Sequence, residues 1–330
     1  MPDDRPLPRD RKARIAVLDD YMGVAHRMAD WSRLEDRAEL TFLTDPLPAG
    51  GVAEALAPYD AICLLRERTP VPGDVLRALP DLKAIAMTGR RNRTLDDETA
   101  RDLGITVMTT EGSGNGIYAT VELAWGHIIA LMRCIPEENA AMYEGAWQTR
   151  LGSALYGRTL GLVGLGKLGS RMAGVARAFG MNVVAWSPNL TTERAAEGGA
   201  EYADKATLFA EADVISLHLV LGPSTRGIVG AEDLGRMKSD AILVNTSRGP
   251  LVDQNALLEA LRTRSIRGAG IDVYDQEPLP ADHPIRDMDN ALLTPHLGYA
   301  TQETFRAFYG DCVDNLDGWL DGAPKRVLEG

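Results

Sequence analysis

The sequence predicts an α/β protein of two units, each built on a parallel β-sheet covered by helices. The chain has 330 residues, and at about 150 residues per domain this length favours two domains. Short aliphatic runs alternate with longer amphipathic ones, which is typical of parallel strands joined by helices. This alternation starts near Arg14 and restarts near Arg158, after a long apolar segment.

The first half contains three apolar runs that end in a charged residue or a glycine. The predicted strands are residues 14–20, 61–66 and 82–89, and the predicted helices between them are residues 74–79 and 97–103. From Val121 to Arg133 the apolar residues recur at helical spacing, which predicts a long buried helix. We interpret His127, inside that helix, as a buried structural histidine.

The second half repeats the pattern with longer apolar runs. The predicted strands are residues 158–166, 181–187, 212–218, 240–247, 268–274 and 290–296, with helices at 170–179 and 302–320. These strands are almost continuously apolar, as expected where helices cover both faces of a sheet. The tryptophans are interpreted as packing residues; they include Trp125, Trp147, Trp186 and Trp319.

Composition limits the class of protein. Hydrophobic residues make up 45% and charged residues 25% of the chain, as in an ordinary folded protein, and the formal charge of -12 argues against broad nucleic-acid binding. The apolar run 123–132 is shorter than the roughly 20 residues that a membrane span needs. The charged start, residues 1–14, predicts a frayed leader without a signal core. Three widely spaced cysteines predict neither a disulfide scaffold nor a metal site and fit the cytoplasm.

Three glycines follow the predicted strand 158–166 in the spacing G-x-G-x-x-G. They are Gly164, Gly166 and Gly169, with Lys167 and Leu168 between the last two. A strand before this motif and a helix after it are the context in which it binds a dinucleotide pyrophosphate. The alternative is an ordinary strand–helix turn, because a chain with 33 glycines produces chance matches. We favour the dinucleotide site.

The residue at the end of the next strand bears on which dinucleotide binds. An acid is expected there to hold the ribose 2′-hydroxyl, but Ser187 occupies the position and the first acid afterwards is Glu193. Without a carboxylate a 2′-phosphate is not repelled, and Arg194 lies nearby. The cofactor is therefore NAD or NADP, with NADP tolerated.

Three residues after later strands form a candidate catalytic group. Arg248 lies in N-T-S-R-G-P, Glu277 in D-Q-E-P-L and His296 in T-P-H-L-G. An arginine binds a carboxylate bidentately, and a histidine supported by a carboxylate exchanges a proton with a carbonyl oxygen. Singly, each could be an ordinary turn residue, but together with a bound nicotinamide they would reduce a 2-oxo acid.

These segments resemble the D-isomer-specific 2-hydroxyacid dehydrogenase family over nearly the whole chain from about Arg14. The most specific pieces are G-R-T-L-G-L-V-G-L-G-K-L-G, A-D-V-I-S-L-H-L-V-L-G-P-S-T-R-G, N-T-S-R-G-P-L-V-D and T-P-H-L-G-Y-A-T. The resemblance implies that Arg248 binds the substrate carboxylate, His296 is the acid/base and Glu277 supports it. It also implies further cofactor-contacting residues, namely Thr120, His218, Thr225, Thr246, Ser247 and Asp272.

The resemblance also implies a domain map. A discontinuous, flavodoxin-like substrate domain would comprise residues 1–118 and 299–330, and a Rossmann-like dinucleotide-binding domain residues 119–298, with the active site in a cleft between them. Relatives of this kind form dimers, so a homodimer is expected. From the chain length we expect no regulatory domain of the kind that some phosphoglycerate dehydrogenases carry after the tail helix.

The loop T-G-R-R-N-R-T-L-D aligns with the family loop that meets the substrate carboxylate. Its predicted substrate-binding residues are Gly89, Arg90 and Arg91. We hypothesise that Arg91 favours a substrate with a second anionic group, and the alternative is a solvated basic loop. The sequence does not identify the 2-hydroxy acid.

Two other functions occur on the same fold. The resemblance implies that formate dehydrogenases have a glutamine at the position of Glu277, so the glutamate argues against that activity. The second alternative is a noncatalytic NAD(H)-sensing protein similar to the corepressors of the family. Such a protein would not need Arg248, Glu277 and His296 together.

Overall fold

The computed structural model describes residues 11–48, 50–114 and 116–329, so most of the predicted leader lies outside the described residues. The chain forms two compact units. The first combines the chain before Gly116 with the chain from Thr301 onward, and the second runs from Gly116 to Ala300.

The strands are short and all pair in parallel. They are β1 (Ala13–Val17), β2 (Ala38–Phe42), β3 (Ala61–Leu64), β4 (Ala84–Met87), β5 (Thr106–Met108), β6 (Thr159–Val163), β7 (Asn182–Trp186), β8 (Glu201–Tyr202), β9 (Val214–Leu217), β10 (Ile242–Asn245), β11 (Gly268–Ile271) and β12 (Ala291–Leu293). The nine predicted strands are present, with shorter bounds, and β2, β5 and β8 are additional.

The helices connect the strands. They are α1 (Ala25–Met28), α2 (Ser32–Glu35), α3 (Val52–Leu56), α4 (Gly73–Arg77), α5 (Asp97–Asp102), α6 (Gly116–Arg133), α7 (Ile135–Tyr143), α8 (Lys167–Ala178), α9 (Thr192–Glu197), α10 (Lys205–Glu211), α11 (Ala231–Arg236), α12 (Gln254–Arg262) and α13 (Gln302–Leu320). Single 3₁₀ turns lie at Gly249–Leu251 and Pro284–Asp287.

The strand orders confirm the predicted α/β class. The first sheet runs β2-β1-β3-β4-β5 and the second β12-β11-β10-β9-β6-β7-β8. These are the flavodoxin-like order and an extended form of the dinucleotide-binding order. In the second unit, α6 and α8 pack on one face of the sheet and α10, α11 and α12 on the other. Ligands bind such sheets at the carboxyl ends of the strands, next to the reversal in strand order, which here lies between β6 and β9.

One tryptophan prediction is wrong. Trp125 and Trp319 are buried, but the side chain of Trp147 is 75% exposed. It follows α7, a helix in which no residue is buried. The reason is that this segment lies on the surface of its unit and has no core to pack against.

Buried Asp60 anchors the start of the first sheet. Its carboxylate accepts hydrogen bonds from the Arg11 guanidinium at 2.6 and 2.8 Å and from the Arg14 N–H at 2.8 Å. Its carbonyl accepts from Lys83 N at 2.8 Å, so one residue ties together the beginnings of β1, β3 and β4. Burial alone would raise the pKa of Asp60, but the Arg11 and Arg14 hydrogen bonds outweigh it and hold that pKa below its ordinary value.

We predict that Asp60→Asn lowers the free energy of unfolding by about 2 kcal/mol at pH 7, because it removes hydrogen bonds to a charged group. A carboxyl group whose pKa is lower in the folded state stabilises the fold fully above its unfolded-state pKa. That stabilisation is lost as the pH falls through the folded-state pKa. The deficit should therefore shrink below about pH 4. Urea unfolding at several pH values measures this, with the exposed Asp45→Asn as control. A deficit that does not change with pH would contradict the account.

Candidate active site

The glycine loop between β6 and α8 contains two kinds of glycine. Gly164 has φ of +103°, and a Cβ there would lie 2.7 Å from the carbonyl oxygen of His218. A Cβ on Gly169 would lie 2.2 Å from the carbonyl oxygen of Gly164. Both glycines are therefore required by packing within the loop. Gly166 is different, because nothing described lies within 4 Å of its Cβ position.

The open space at Gly166 faces the start of a long helix. Gly166 is the N-cap of α8 and provides no side-chain cap. The first-turn N–H groups, including those of Lys167 and Leu168, therefore have no intrahelical acceptor and attract anions. A pyrophosphate fits this cradle, which a side chain on Gly166 would fill.

Ser187 directly follows β7, the strand next to β6, and is half-buried. A cation contacts the loop that follows, because the guanidinium of Arg194, on α9, donates to the carbonyl oxygen of Asn189 at 3.1 Å. An uncharged hydroxyl and a nearby arginine thus occupy the region where the sequence led us to expect a ribose-binding acid.

His218 follows β9, beside the glycine loop. Its Nε2 lies 2.9 Å from the Ser216 hydroxyl, and burial lowers the pKa of His218 to about 4, so its ring is neutral at pH 7. The hydroxyl of Thr225 is engaged in its own turn, where it donates to Val220 O at 2.7 Å and accepts from Gly222 N at 2.8 Å.

The loop after β10 is shaped by the buried Asn245. Its side chain accepts from Ser247 N at 3.0 Å and donates to the carbonyl oxygen of Arg248 at 2.9 Å. The Ser247 hydroxyl donates to Leu219 O at 2.6 Å, which ties this loop to the one after β9. Thr246 is buried, and its hydroxyl has no hydrogen-bond partner among the described residues. The loop therefore has a fixed backbone from which Arg248 extends.

Glu277 and His296 form a direct pair. The Oε2 atom of Glu277 lies 2.6 Å from Nδ1 of His296, and its Oε1 accepts from Tyr274 N at 3.0 Å. The carboxylate thus holds the ring through Nδ1 and fixes its orientation. A Cβ on Gly249 would lie 2.2 Å from the carbonyl carbon of Tyr274. The loops that carry Arg248 and Glu277 are therefore in contact.

Asp272 holds the loop on which His296 lies. Its Oδ1 accepts from the Thr294 hydroxyl at 2.6 Å and from Leu297 N at 2.7 Å, and its Oδ2 accepts from Gly298 N at 3.0 Å. Its carbonyl oxygen accepts from His296 N at 2.8 Å. Burial raises the pKa of Asp272, and the hydrogen bonds from Thr294, Leu297 and Gly298 oppose that rise. Its carboxylate is thus engaged within the protein.

Thr120, on the first turns of α6, contacts the same loop. Its hydroxyl lies 2.8 Å from the carbonyl oxygen of Gly298 and 3.1 Å from that of Gly116. Of the residues predicted in the second unit, Thr120, Asp272, Glu277 and His296 are therefore brought together by hydrogen bonds.

In the first unit, Gly89 follows β4 with φ of +95° and donates its N–H to the Thr110 hydroxyl at 2.6 Å. Arg90 and Arg91 are exposed, and the guanidinium of Arg90 lies 3.7 Å from Glu111. The sequence analysis missed Arg66, which packs so closely that a Cβ on Gly89 would lie 1.9 Å from its Nη1. Its position shortly after β3 is the sequence signal that could have identified it as a site residue.

Asp19, shortly after β1, was also missed. It is buried, has φ of +61°, and accepts from the Tyr21 hydroxyl at 2.9 Å and the Thr69 hydroxyl at 3.0 Å. Burial raises its pKa. A buried carboxylate and a guanidinium therefore lie after strands of the first sheet, where ligands bind in such folds.

Within the described ranges, no group of three or more histidine, cysteine or acidic side chains is arranged to hold a metal ion. None of the described helices combines the length and the apolar character needed to cross a membrane.

The sequence is similar to those of known proteins. Residues 125–298 match the family model described as "D-isomer specific 2-hydroxyacid dehydrogenase, NAD binding domain". The D-3-phosphoglycerate dehydrogenase of Synechocystis sp. is 39% identical over 277 residues, which are 83% of this chain and 49% of that protein. The hydroxypyruvate reductase of Thermotoga maritima is 36% identical over 288 residues, which are 86% of this chain and 92% of that protein.

A crystal structure of a phosphoglycerate oxidoreductase from Vibrio cholerae has the same architecture. Its TM-score is 0.86 at 37% identity, covering 94% of this chain and all of that one (100%). The chain thus spans about half of the Synechocystis dehydrogenase but nearly the whole Thermotoga reductase. On the family-model match and these identities, the chain belongs to the D-isomer-specific 2-hydroxyacid dehydrogenase family.

Proposed function

We propose that the protein is an NAD(P)-dependent dehydrogenase that interconverts a small 2-oxo acid and its D-2-hydroxy acid. The hydrogen-bonded pair of His296 and Glu277, 2.6 Å apart, carries this proposal. It lies in the same unit as the glycine loop, and the buried carboxylate of Asp272 fixes the loop on which His296 lies. A noncatalytic sensor would not require a histidine supported in this way.

The residues around the glycine loop would hold the dinucleotide, and its nicotinamide would provide the hydride needed to reduce C2 of the substrate. His296 donates a proton from Nε2 to the substrate oxygen, and Glu277 stabilises the imidazolium and fixes its orientation. Arg248 pairs with the substrate carboxylate and stabilises the negative charge that develops on the oxygen. In the oxidising direction neutral His296 accepts the proton.

Most of the residues proposed to hold the cofactor lie near the carboxyl ends of β6, β7, β9 and β10, with Asp272 after β11 and Thr120 on α6. Gly164, Gly166 and Gly169 provide the pyrophosphate cradle with Lys167 and Leu168, while Thr246 offers a buried hydroxyl. His218, Thr225, Ser247, Asp272 and Thr120 complete the proposed set. Ser187 and the nearby Arg194 support tolerance of the 2′-phosphate of NADP.

We assign substrate binding to the first unit and the dinucleotide to the second. The proposed substrate contacts in the first unit are Gly89, Arg90 and Arg91, and the guanidinium of Arg66 against Gly89 adds a fourth. Exposed Arg91 remains the hypothesised contact for a second anionic group. Its test compares glyoxylate with a phosphorylated 2-oxo acid in Arg91→Ala, where equal losses would overturn the idea.

We further propose a cytoplasmic homodimer. The described cysteines are all free thiols and buried, as suits a reducing compartment. One stretch of the second unit exposes large apolar side chains: Tyr143 is 87%, Trp147 75%, Leu151 97% and Tyr156 83% exposed. Such a concentration is unusual on the surface of a monomer, and a second copy of the chain is the proposed partner.

The proposed activity is tested by following NADH and NADPH oxidation with glyoxylate, hydroxypyruvate, pyruvate and longer 2-oxo acids. We expect turnover with at least one of them. His296→Ala should lower kcat roughly a thousandfold, as expected for loss of a general acid, while NADH still binds. The exposed His26→Ala is the matched control. Absence of turnover with every acid despite tight NADH binding would contradict the proposal, and near-normal turnover of His296→Ala would exclude that histidine.

The glycine loop gives a second prediction. Gly166→Val should weaken NADH binding roughly a hundredfold, because it blocks charge-assisted hydrogen bonds to the pyrophosphate, yet leave the melting temperature nearly unchanged, since its Cβ position is open. Gly169→Val should instead lower the melting temperature, because its Cβ collides with the Gly164 carbonyl. Fluorescence titration and thermal unfolding distinguish these effects. Unchanged NADH affinity in Gly166→Val would place the pyrophosphate elsewhere.

The exposed apolar stretch gives a third prediction. Sedimentation of the wild-type protein should give twice the mass of one chain, and Trp147→Glu combined with Leu151→Glu should give the monomer, because two charges would be buried at the contact. Exposed Met22→Glu in the first unit is the control. A monomeric wild-type protein, or a double variant that stays dimeric, would contradict the assignment.

A further inference from the structure

His127 is the buried histidine of α6, and nothing in the proposed reaction uses it. We propose that it is a positioning residue for the loop that carries His296, acting through the Thr294 hydroxyl and the Asp272 carboxylate. This role rests on the proposed function, because its consequence for turnover depends on His296 being the acid/base. Its consequence for the structure of the loop does not depend on the role of His296.

A continuous chain of hydrogen bonds supports this role. Nε2 of His127 lies 3.0 Å from the Thr294 hydroxyl, and that hydroxyl lies 2.6 Å from Oδ1 of Asp272. The same Oδ1 accepts from Leu297 N at 2.7 Å, directly beside His296. His127 thus reaches the loop through two intervening side chains, all of them within the second unit.

The protons along this chain have one consistent arrangement while Asp272 is ionised. An ionised carboxylate only accepts, so the single hydroxyl proton of Thr294 goes to Asp272. The Thr294 oxygen must then accept from His127, which requires a proton on Nε2. Burial lowers the pKa of His127 and so favours the neutral ring. A neutral ring carries one proton, which this arrangement places on Nε2. His127 therefore orients the Thr294 hydroxyl towards the carboxylate.

The helix α6 contacts both ends of the loop. His127 bonds to Thr294 where the loop begins, and Thr120 donates to the carbonyl oxygen of Gly298 where it ends. These two residues are seven positions apart, which places them on one face of the helix two turns apart. His296 lies between the two contacts, with φ of +56°. A non-glycine residue in this conformation persists only when its surroundings impose it.

The groups that face Asp272 determine how the chain responds to pH. They are His127 from α6, Thr294 and His296 from the segment after β12, and Tyr274 from the segment after β11. Glu277 interacts with two of them, His296 and Tyr274. The Thr294 hydrogen bond favours the ionised carboxylate, so its loss raises the pKa of Asp272. Without His127, the Thr294 hydroxyl would no longer be held towards the carboxylate, so Asp272 would become protonated at a higher pH and its hydrogen bonds to the loop would weaken there.

The first test compares His127→Leu, which removes the donor, with His127→Gln, which retains an N–H at a similar distance. In His127→Leu the amides of Leu297 and Gly298 should exchange with solvent roughly three to ten times faster, as expected for a weakened hydrogen bond. The acid limb of the kcat/KM profile should move to higher pH by about half a unit. His127→Gln should restore both. Equal changes in the two variants, or none in His127→Leu, would overturn the proposal.

The second test asks whether His127 acts through Thr294. Thr294→Val should reproduce faster amide exchange at Leu297 and Gly298, and adding His127→Leu to it should have no further effect, because the connection is already cut. Additive effects would show that His127 acts only by packing and would overturn the proposal. If His127→Leu does not fold, Thr294→Val alone and combined with His127→Gln gives the same comparison. Amide exchange needs no turnover, so an inactive wild-type protein would defeat the proposed function and still leave this inference testable.

Discussion

The arrangement of the second unit depends on one buried carboxylate. Asp272 accepts three hydrogen bonds from the segment 294–298, and its own carbonyl oxygen accepts a fourth from His296. A buried carboxylate is costly unless donors surround it, so the loop and the acid stabilise each other. The loop in turn presents His296 to Glu277 at 2.6 Å. A fixed loop of this kind holds an acid/base group in one orientation before any ligand binds.

The parallel sheet explains why residues far apart in sequence meet. Gly164, Arg248, Asp272 and His296 follow β6, β10, β11 and β12, and the carboxyl ends of parallel strands lie at one edge. Hydrogen bonds and close backbone contacts then fix the loops that follow these strands. Asn245 shapes the Arg248 loop, Ser247 ties it to Leu219, and the close approach of Gly249 brings it against Tyr274.

Nine of the strands and the glycine loop could be predicted from sequence, because long apolar runs and a glycine motif are local signals. The strands that were missed lack such signals: β2 is only partly buried, β5 has three residues, and β8 has two, both exposed. The pairing of Asp272 with the 294–298 loop and of Arg66 with Gly89 depends on tertiary contacts between segments. The exposure of Trp147 was missed for a related reason, since the sequence gives an apolar side chain the same signal whether it lies in a core or on the surface.

The proposed reaction is a hydride transfer between a nicotinamide cofactor and C2 of a 2-oxo acid, in which His296, held by Glu277, exchanges the proton. Its most direct test supplies NADH carrying deuterium on either face of C4, with a 2-oxo acid that gives a chiral product such as pyruvate or hydroxypyruvate, and analyses the product by NMR and chiral chromatography. We expect one of the two labelled cofactors to give a D-configured hydroxy acid with deuterium at C2. A product without deuterium from either cofactor, or one of L configuration, would contradict it.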